Sequence, residues 1–310
     1  MNKPSITISV NPTYFCNFDC DFCYLTKEQL NDKKLLKQEL LIERLNEVTD
    51  FFSIECIDVY GGEVGLLPTD YLDQLIDTLK LYCLDINVIT NLSKINPSFL
   101  RLDINLSVSW EGDIRRKSST VLDNLKVIGR DVNLLMLAGK EMLSWSPNKL
   151  KTIVNEINTI PYIRSVEIKP YSSNQANSFD ITFNAFEEHV KSWFVIDKKF
   201  MFVNEIHLNG VFEGTVNSFS DDHLYIDPFG RFNVLDFDAS DNEYFKEITN
   251  VETYFDWTNE EKVKVSENSF CSKCPYLGSC LSEHLRDVKS IDQSCNGFYQ
   301  LIEWFRKRQL

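Results

Sequence analysis

The sequence predicts an α/β protein: a partial (β/α)6 barrel with parallel strands, followed by a small β-hairpin and helical cap. Three observations point there. Strand-like and helix-like segments alternate through roughly the first 180 residues, the pattern of repeated βα units on a parallel sheet. Several of these strands are apolar on one side only, whereas a parallel strand covered on both faces is almost wholly apolar. Past about residue 200 the alternation gives way to β-rich runs and a turn.

Taken in order, "SITISV" is the first strand, and a helix over 33–52 follows with Leu41, Leu45, Val48 and Phe52 at helical spacing. "IECIDVY", "DINVITN", "LDINLSVSW", "VNLLML" and "RSVEIKPY" supply five more strands. "TDYLDQLIDTLKLY", "SSTVLDNLKVIG" and "NKLKTIVNEINTI" are the helices between them, and "FNAFEEHVKSWFVI" is the next. The first strand sets Ile6, Ile8 and Val10 against Thr7, Ser9 and Asn11. The fourth sets Leu102, Ile104, Leu106 and Val108 against Asp103, Asn105, Ser107 and Ser109, and the sixth sets Val166 and Ile168 against Glu167, Lys169 and Tyr171. Helices outside and a wet, ligand-bearing interior explain both faces.

Residues 1–195 are expected to form the barrel and 196–310 the cap. Within the cap, 200–238 reads as β-rich, with the turn "DPFGR" between "HLYI" and "FNVLDF". "DFDASDNEYFKEI" reads as a solvated loop and "GFYQLIEWFRKR" as a closing amphipathic helix.

The formal net charge is −14, which argues against a nucleic-acid surface, because phosphate affinity needs clustered Lys and Arg. No apolar run approaches the ~20 residues of a bilayer span, and the start is not a secretory signal. A cytoplasmic protein without a membrane partner is expected. The first strand begins near residue 5, which leaves no room for an N-terminal peptide-recognition domain.

Of nine cysteines, seven fall into two tight groups, and in a reducing compartment that pattern points to metal. The first group is Cys16, Cys20 and Cys23. A four-iron cubane wants one outside ligand per iron, so three cysteines leave one iron open to a substrate or cofactor. The loop follows the first strand, at the carboxyl end of the sheet where α/β barrels place ligands.

Cys16-x3-Cys20-x2-Cys23, with Phe22 before the third cysteine, resembles the motif of the radical S-adenosylmethionine superfamily. "YGGEVGLL" resembles its GGE motif at Gly61, Gly62 and Glu63, and "TNLS" resembles its Thr-Asn step at Thr90 and Asn91. "SVSWEGD" resembles its ribose-contacting strand end but departs from the usual Asp-Gly, leaving that contact open between Ser107, Ser109 and Glu111. The resemblance covers about residues 5–180. It implies a 4Fe–4S cluster on the three cysteines, with S-adenosylmethionine on the open iron. Gly61, Gly62 and Glu63 would hold the amino group, and Phe22 would lie near the adenine. One-electron reduction would yield methionine and a 5′-deoxyadenosyl radical that abstracts hydrogen from substrate.

Cys271-x2-Cys274-x5-Cys280, with Cys295, can close a metal site completely, and a structural zinc is one reading. The pattern also resembles the SPASM/twitch-type region that follows the barrel in many radical enzymes acting on peptides. His284 stands where a full region has its next cysteine, and 200–270 lacks the cysteines of a first auxiliary cluster. The resemblance therefore implies one auxiliary 4Fe–4S cluster in an iron–sulfur cap.

Cys56 and Lys169 are the candidate catalytic residues. Cys56 could return a hydrogen atom to a substrate radical, or be a small buried hydrophobe. Lys169, Tyr171, Arg115 and Arg116 could contact a carboxylate. His189, His207 and His223 have no metal spacing, and Cys83 reads as packing. The expected activity is modification of a ribosomally made peptide, most readily by oxidative cross-linking. A precursor peptide and a flavodoxin- or ferredoxin-type electron donor are the implied partners. The alternatives are chemistry on an amino acid, sugar or nucleoside, peptide epimerisation, and an electron carrier without chemistry of its own.

Overall fold

A computed structural model of the chain describes residues 3–170, 181–219, 221–235, 245–281, 295 and 297–309. The elements run β1 (Ser5–Val10), α1 (Lys27–Asn31), α2 (Gln38–Phe51), β2 (Ser53–Val59), α3 (Thr69–Leu79), β3 (Ile86–Thr90) and β4 (Asn105–Ser109). They continue with α4 (Ser118–Ile128), β5 (Val132–Ala138), α5 (Lys140–Leu143), α6 (Pro147–Asn158), β6 (Ile163–Pro170) and α7 (Phe183–Trp193). The last third holds β7 (Met201–Phe202), α8 (Val203–Glu213), β8 (His223–Ile226), β9 (Phe232–Leu235), β10 (Phe245–Ile248), α9 (Val251–Glu267) and α10 (Tyr299–Gln309).

One ten-stranded sheet runs in the order β10-β9-β8-β1-β2-β3-β4-β5-β6-β7 and does not close. Strands β1 to β6 are parallel and adjacent in chain order, as the βα alternation requires. The hairpin β8–β9 does not form a separate layer. Strand β8 pairs in parallel with β1, so strands from both sides of residue 195 share one sheet. This covers an edge of β1 that would otherwise offer unpaired backbone groups.

The two faces of the strands separate as their alternation demands. Ile6, Ile8, Ile57, Val59, Val88, Leu106, Leu134 and Val166 join one core with Leu41, Leu45, Leu72, Leu75, Leu125 and Ile153 of the helices. On the inner face Ser9, Asp58 and Asn87 stand level by register, as do Ser107, Asn133 and Ser165. Asn87 donates to Asp58 at 2.9 Å, Ser107 to Asn87 at 2.8 Å and Ser165 to Asn133 at 2.7 Å. The Ser9 hydroxyl and His223 Nε2 are 2.7 Å apart. The wet interior is thus a hydrogen-bonded belt.

Several expectations need correction. Residues 200–238 are not uniformly β: Val203–Glu213 is helix α8, with Leu208 and Val211 buried at helical spacing. Of "DFDASDNEYFKEI", 236–244 lie outside the described residues, but Phe245–Ile248 pair antiparallel with β9 instead of looping free. The 17-residue α9 has no counterpart in the sequence reading, although its buried Val251, Tyr254, Trp257, Thr258, Glu261 and Val265 keep a helical period. Helix α2 starts at Gln38, later than expected, because Leu36 is tied to the preceding loops: its N–H donates to Pro12 O and its carbonyl accepts from Tyr71. The "DPFGR" turn stands, with Gly230 N–H donating to Asp227 O.

His189 of α7 is buried and accepts a hydrogen bond from Trp193 Nε1 at 3.1 Å. Burial holds its pKa down at about 4. The folded state therefore disfavours the imidazolium, and stability present above about pH 6.5 is lost as pH falls toward 4. The loss reaches about 3 kcal/mol. Urea unfolding at pH 7 and pH 4.5 should show this difference, and His189→Gln, which keeps an acceptor for Trp193, should flatten it.

Candidate active site

The loop after β1 carries Cys16, Cys20 and Cys23, all half-buried. Cys23 N–H donates to Cys20 O at 3.0 Å, and the N–H groups of Phe18 and Leu25 donate to the Sγ atoms of Cys16 and Cys23, each at 3.4 Å. Thr26 then caps α1 through a capping box. Burial pushes the bare thiols up, Cys16 to about 11 and Cys20 to about 12, and raises Cys23. Ligand binding at these sulfurs must therefore displace protons.

Two further loops hold this one in place. Gly61 has φ +153°, and a Cβ there would lie 2.4 Å from Thr13 O. A Cβ on Gly62 would lie 2.2 Å from Phe15 O and 2.3 Å from Tyr14 O. Gly62 N–H donates to Thr13 O at 2.9 Å and Glu63 N–H to Phe15 O at 2.8 Å. The glycines thus bring one backbone against another, and the close approach they permit is to the cysteine loop itself.

Glu63 is fully buried. One carboxylate oxygen accepts from Gly65 N–H at 2.7 Å and from the Thr90 hydroxyl, the other from Asn91 N–H at 2.7 Å. Burial pushes its pKa up against these donors. The Asn91 side chain reaches Asn17 Oδ1 at 3.1 Å and Cys16 Sγ at 3.9 Å, and Asn17 donates to Ser93 at 2.8 Å. Leu92, fully buried, holds a left-handed φ of 49° at this junction, a strained conformation for a non-glycine residue.

After β4, Ser107 is buried and engaged with Asn87, Ser109 is half-exposed at the strand end, and Glu111 is buried against Arg115 at 2.8 Å. The Arg115 guanidinium lies over the rings of Phe18 (5.4 Å) and Phe22 (5.8 Å). Sequence reasoning gave Glu111 and Arg115 separate roles; their i,i+4 spacing was the signal that they pair.

The structure brings together Cys16, Cys20, Cys23, Phe22, Gly61, Gly62, Glu63, Thr90 and Asn91, with Ser107 and Ser109 on the adjoining strand. Lys169 points at the same interior, 3.5 Å from Glu167, and its charge acts on Asp58. Cys56 is not brought to the site. It stands level with Thr7, four residues and about 13 Å of strand below Tyr60. Tyr171 and His284 lie outside the described residues. Arg116 is exposed, His207 is on the surface of α8, and Cys83 is buried as packing.

The second thiol group follows α9. Asn268 Oδ1 accepts from Cys271 N–H at 3.1 Å, and Cys274 N–H donates to Cys271 O at 2.9 Å. A Cβ on Gly297 would lie 2.7 Å from Cys280 Sγ and 3.6 Å from Cys295 Sγ, so those sulfurs flank one glycine. Among the described residues, no group of three or more His, Cys, Asp or Glu side chains could hold a single metal ion. The donor sets suit iron–sulfur clusters: thiols only, with backbone N–H groups directed at two sulfurs of the first set.

No protein-family model matches the chain, and no curated protein matches it significantly. Solved structures do. anSMEcpe with bound AdoMet (S-adenosylmethionine) superposes with a TM-score of 0.69 at 14% identity over 99% of each chain. Its complex with AdoMet and the Cp18Cys peptide gives 0.70 at 14% identity over 98% of each. Streptococcus suis SuiB bound to precursor peptide SuiA gives 0.67 at 15% identity, covering 96% of this chain and 75% of that one. The chain shares the fold of these structures. Within that fold the three-cysteine loop sits at the carboxyl ends of the parallel strands, above the polar belt.

Two substitutions test this construction. Gly62→Ala should destabilise the protein by about 1–3 kcal/mol in urea unfolding, because its neighbours are backbone atoms that cannot step aside. Glu63→Ala should cost about 3 kcal/mol by leaving buried donors unmet, and Glu63→Gln should recover part of that through its amide oxygen.

Proposed function

We propose that this protein is a radical S-adenosylmethionine enzyme that modifies a ribosomally made peptide, with oxidative cross-linking as its chemistry. The observation that carries the proposal is the convergence of Cys16, Cys20 and Cys23 with the Glu63–Thr90–Asn91 strap at the mouth of a polar cavity. The likeness to structures holding AdoMet and peptides supports it.

Cys16, Cys20 and Cys23 would hold a 4Fe–4S cluster with one iron free for S-adenosylmethionine. The pair, once reduced by one electron, supplies hydrogen-atom abstraction. The protein's part is positional. Glu63, Thr90 and Asn91 fix the cysteine loop, Phe22 and Ser109 line the approach for the nucleotide, and the buried walls exclude water. The belt of Ser9, Asp58, Asn87, Ser107, Asn133 and Ser165, with Lys169 and Glu167 above it, orients the substrate residue. The depth of Cys56 supports cross-linking over epimerisation, since a thiol one layer below Asp58 is remote from the cofactor loop.

A cross-link removes two hydrogen atoms from the peptide. One leaves by abstraction; the other leaves as a proton and an electron, and Cys271, Cys274, Cys280 and Cys295 would hold the auxiliary 4Fe–4S cluster that accepts that electron.

Anaerobic reconstitution should give bound iron and labile sulfide. Dithionite and S-adenosylmethionine should then release 5′-deoxyadenosine, and a matching precursor peptide should become lighter by two hydrogens. Cys16→Ala should abolish both reactions. A preparation that binds no sulfide, or never cleaves S-adenosylmethionine, overturns the proposal. Iron and sulfide persisting in a variant with all three loop cysteines replaced by alanine would identify the second group as a cluster; zinc there instead would make it structural.

A further inference from the structure

The buried pair Glu111–Arg115 is not explained by the architecture alone. Both side chains are almost sealed from solvent, at 3% and 6% exposure. A buried ion pair is a poor source of stability, because desolvating two charges offsets most of their attraction. Arg115 is also incompletely satisfied: its Nε is buried without a hydrogen-bond partner among the described residues. A cation kept in such a place has work to do on something nearby.

The cysteine loop is what lies nearby. The Arg115 guanidinium faces Phe18 and Phe22, the two rings that flank Cys20 in sequence. Arg115 meets Glu111 through Nη1 at 2.8 Å, and the face of the same guanidinium lies over the two rings on either side of Cys20. The cation of the pair is thus packed against the cysteine loop. Arg116 and Lys117 also lie over Phe18, each at 5.9 Å, but both are exposed, so water and salt screen them. Arg115 alone of the three acts through a low-dielectric interior, where a unit charge is felt strongly.

We propose that Arg115 sets the reduction potential of the cluster held by Cys16, Cys20 and Cys23, with Glu111 as the counter-charge that moderates it. Reduction adds one electron, and thus one negative charge, to the cluster. A buried cation stabilises the reduced form and raises the potential, and an anion beyond it partly cancels that effect. Arg115 is in this sense a positioning residue: it forms no bond in the reaction, and it also pins Phe18 and Phe22 beside the loop. The inference rests on the loop being the cluster site of the proposed function.

The test is a dithionite titration of the reconstituted full-length chain, with redox mediators, followed by electron paramagnetic resonance. The relevant signal is the one missing from a Cys20→Ala variant. Arg115→Gln should lower the reduced-to-oxidised ratio at a fixed potential about tenfold, a fall of ~59 mV for a one-electron couple. Glu111→Gln should shift the midpoint upward, and Arg115→Lys should stay within threefold of the parent. Loss of packing alone would move Arg115→Gln and Glu111→Gln in the same direction, so equal signs, or no shift in either, overturn the inference while leaving the proposed function standing. If the parent protein shows no such signal, both fall. Should Arg115→Gln fail to fold, an upward shift in Glu111→Gln with Arg115→Lys within threefold of the parent supports the inference, and a downward or absent shift in Glu111→Gln overturns it.

Discussion

Glu63 is the point on which the site depends. Its carboxylate is buried, and it collects a hydroxyl and two backbone N–H groups from two different loops. A charged acceptor in such a place is stable only if its donors are fixed, and the donors are fixed because the acceptor is there. From this mutual constraint follow the position of Asn91, its reach to Asn17 and Cys16, and the tolerated strain at Leu92. Gly61 and Gly62 complete the arrangement by letting the same loop lie against residues 13–15. The cysteines themselves are presented by a short, irregular loop that has little to hold it from within.

The interior below that loop follows from strand periodicity. A parallel strand in a barrel exposes alternate residues inward, and here the inward positions are serine, asparagine, aspartate and lysine where a closed core would have valine and isoleucine. Their side chains satisfy one another across neighbouring strands, so the cavity wall is polar without leaving these groups unmet. Such a wall can receive a polar substrate by exchanging hydrogen bonds, and its side chains start from defined positions. The buried Glu111–Arg115 pair adds a fixed dipole beside the cysteine loop.

Much of this was legible in the sequence because it is local. The cysteine spacing, the glycine pair before Glu63 and the Thr90–Asn91 step each sit at the end of a strand, and the order of strands in the sheet follows the order of the chain. What escaped depends on long-range pairing. Nothing in "HLYI" says that it will lie beside β1, and nothing in "FKEI" says that it will pair with β9. Helix α8 was hidden because Val203, Ile206 and Phe212 suit a strand as well as a helix. Helix α9 was readable by its period and was simply not recognised. The contacts that Glu63 and the glycines make to the chain itself join distant loops, which no spacing could reveal.

The joining of β8 to β1 carries a consequence for biosynthesis. Ser9 and His223, which meet across that seam, are separated by 214 positions. Strand β1 and the thiol loop are therefore made long before residues 223–226, and the β1–β8 pairing forms only once those residues have emerged. Contacts of such long range form late. Until then the β1 edge, beside which the thiol loop begins, has no strand next to it on that side.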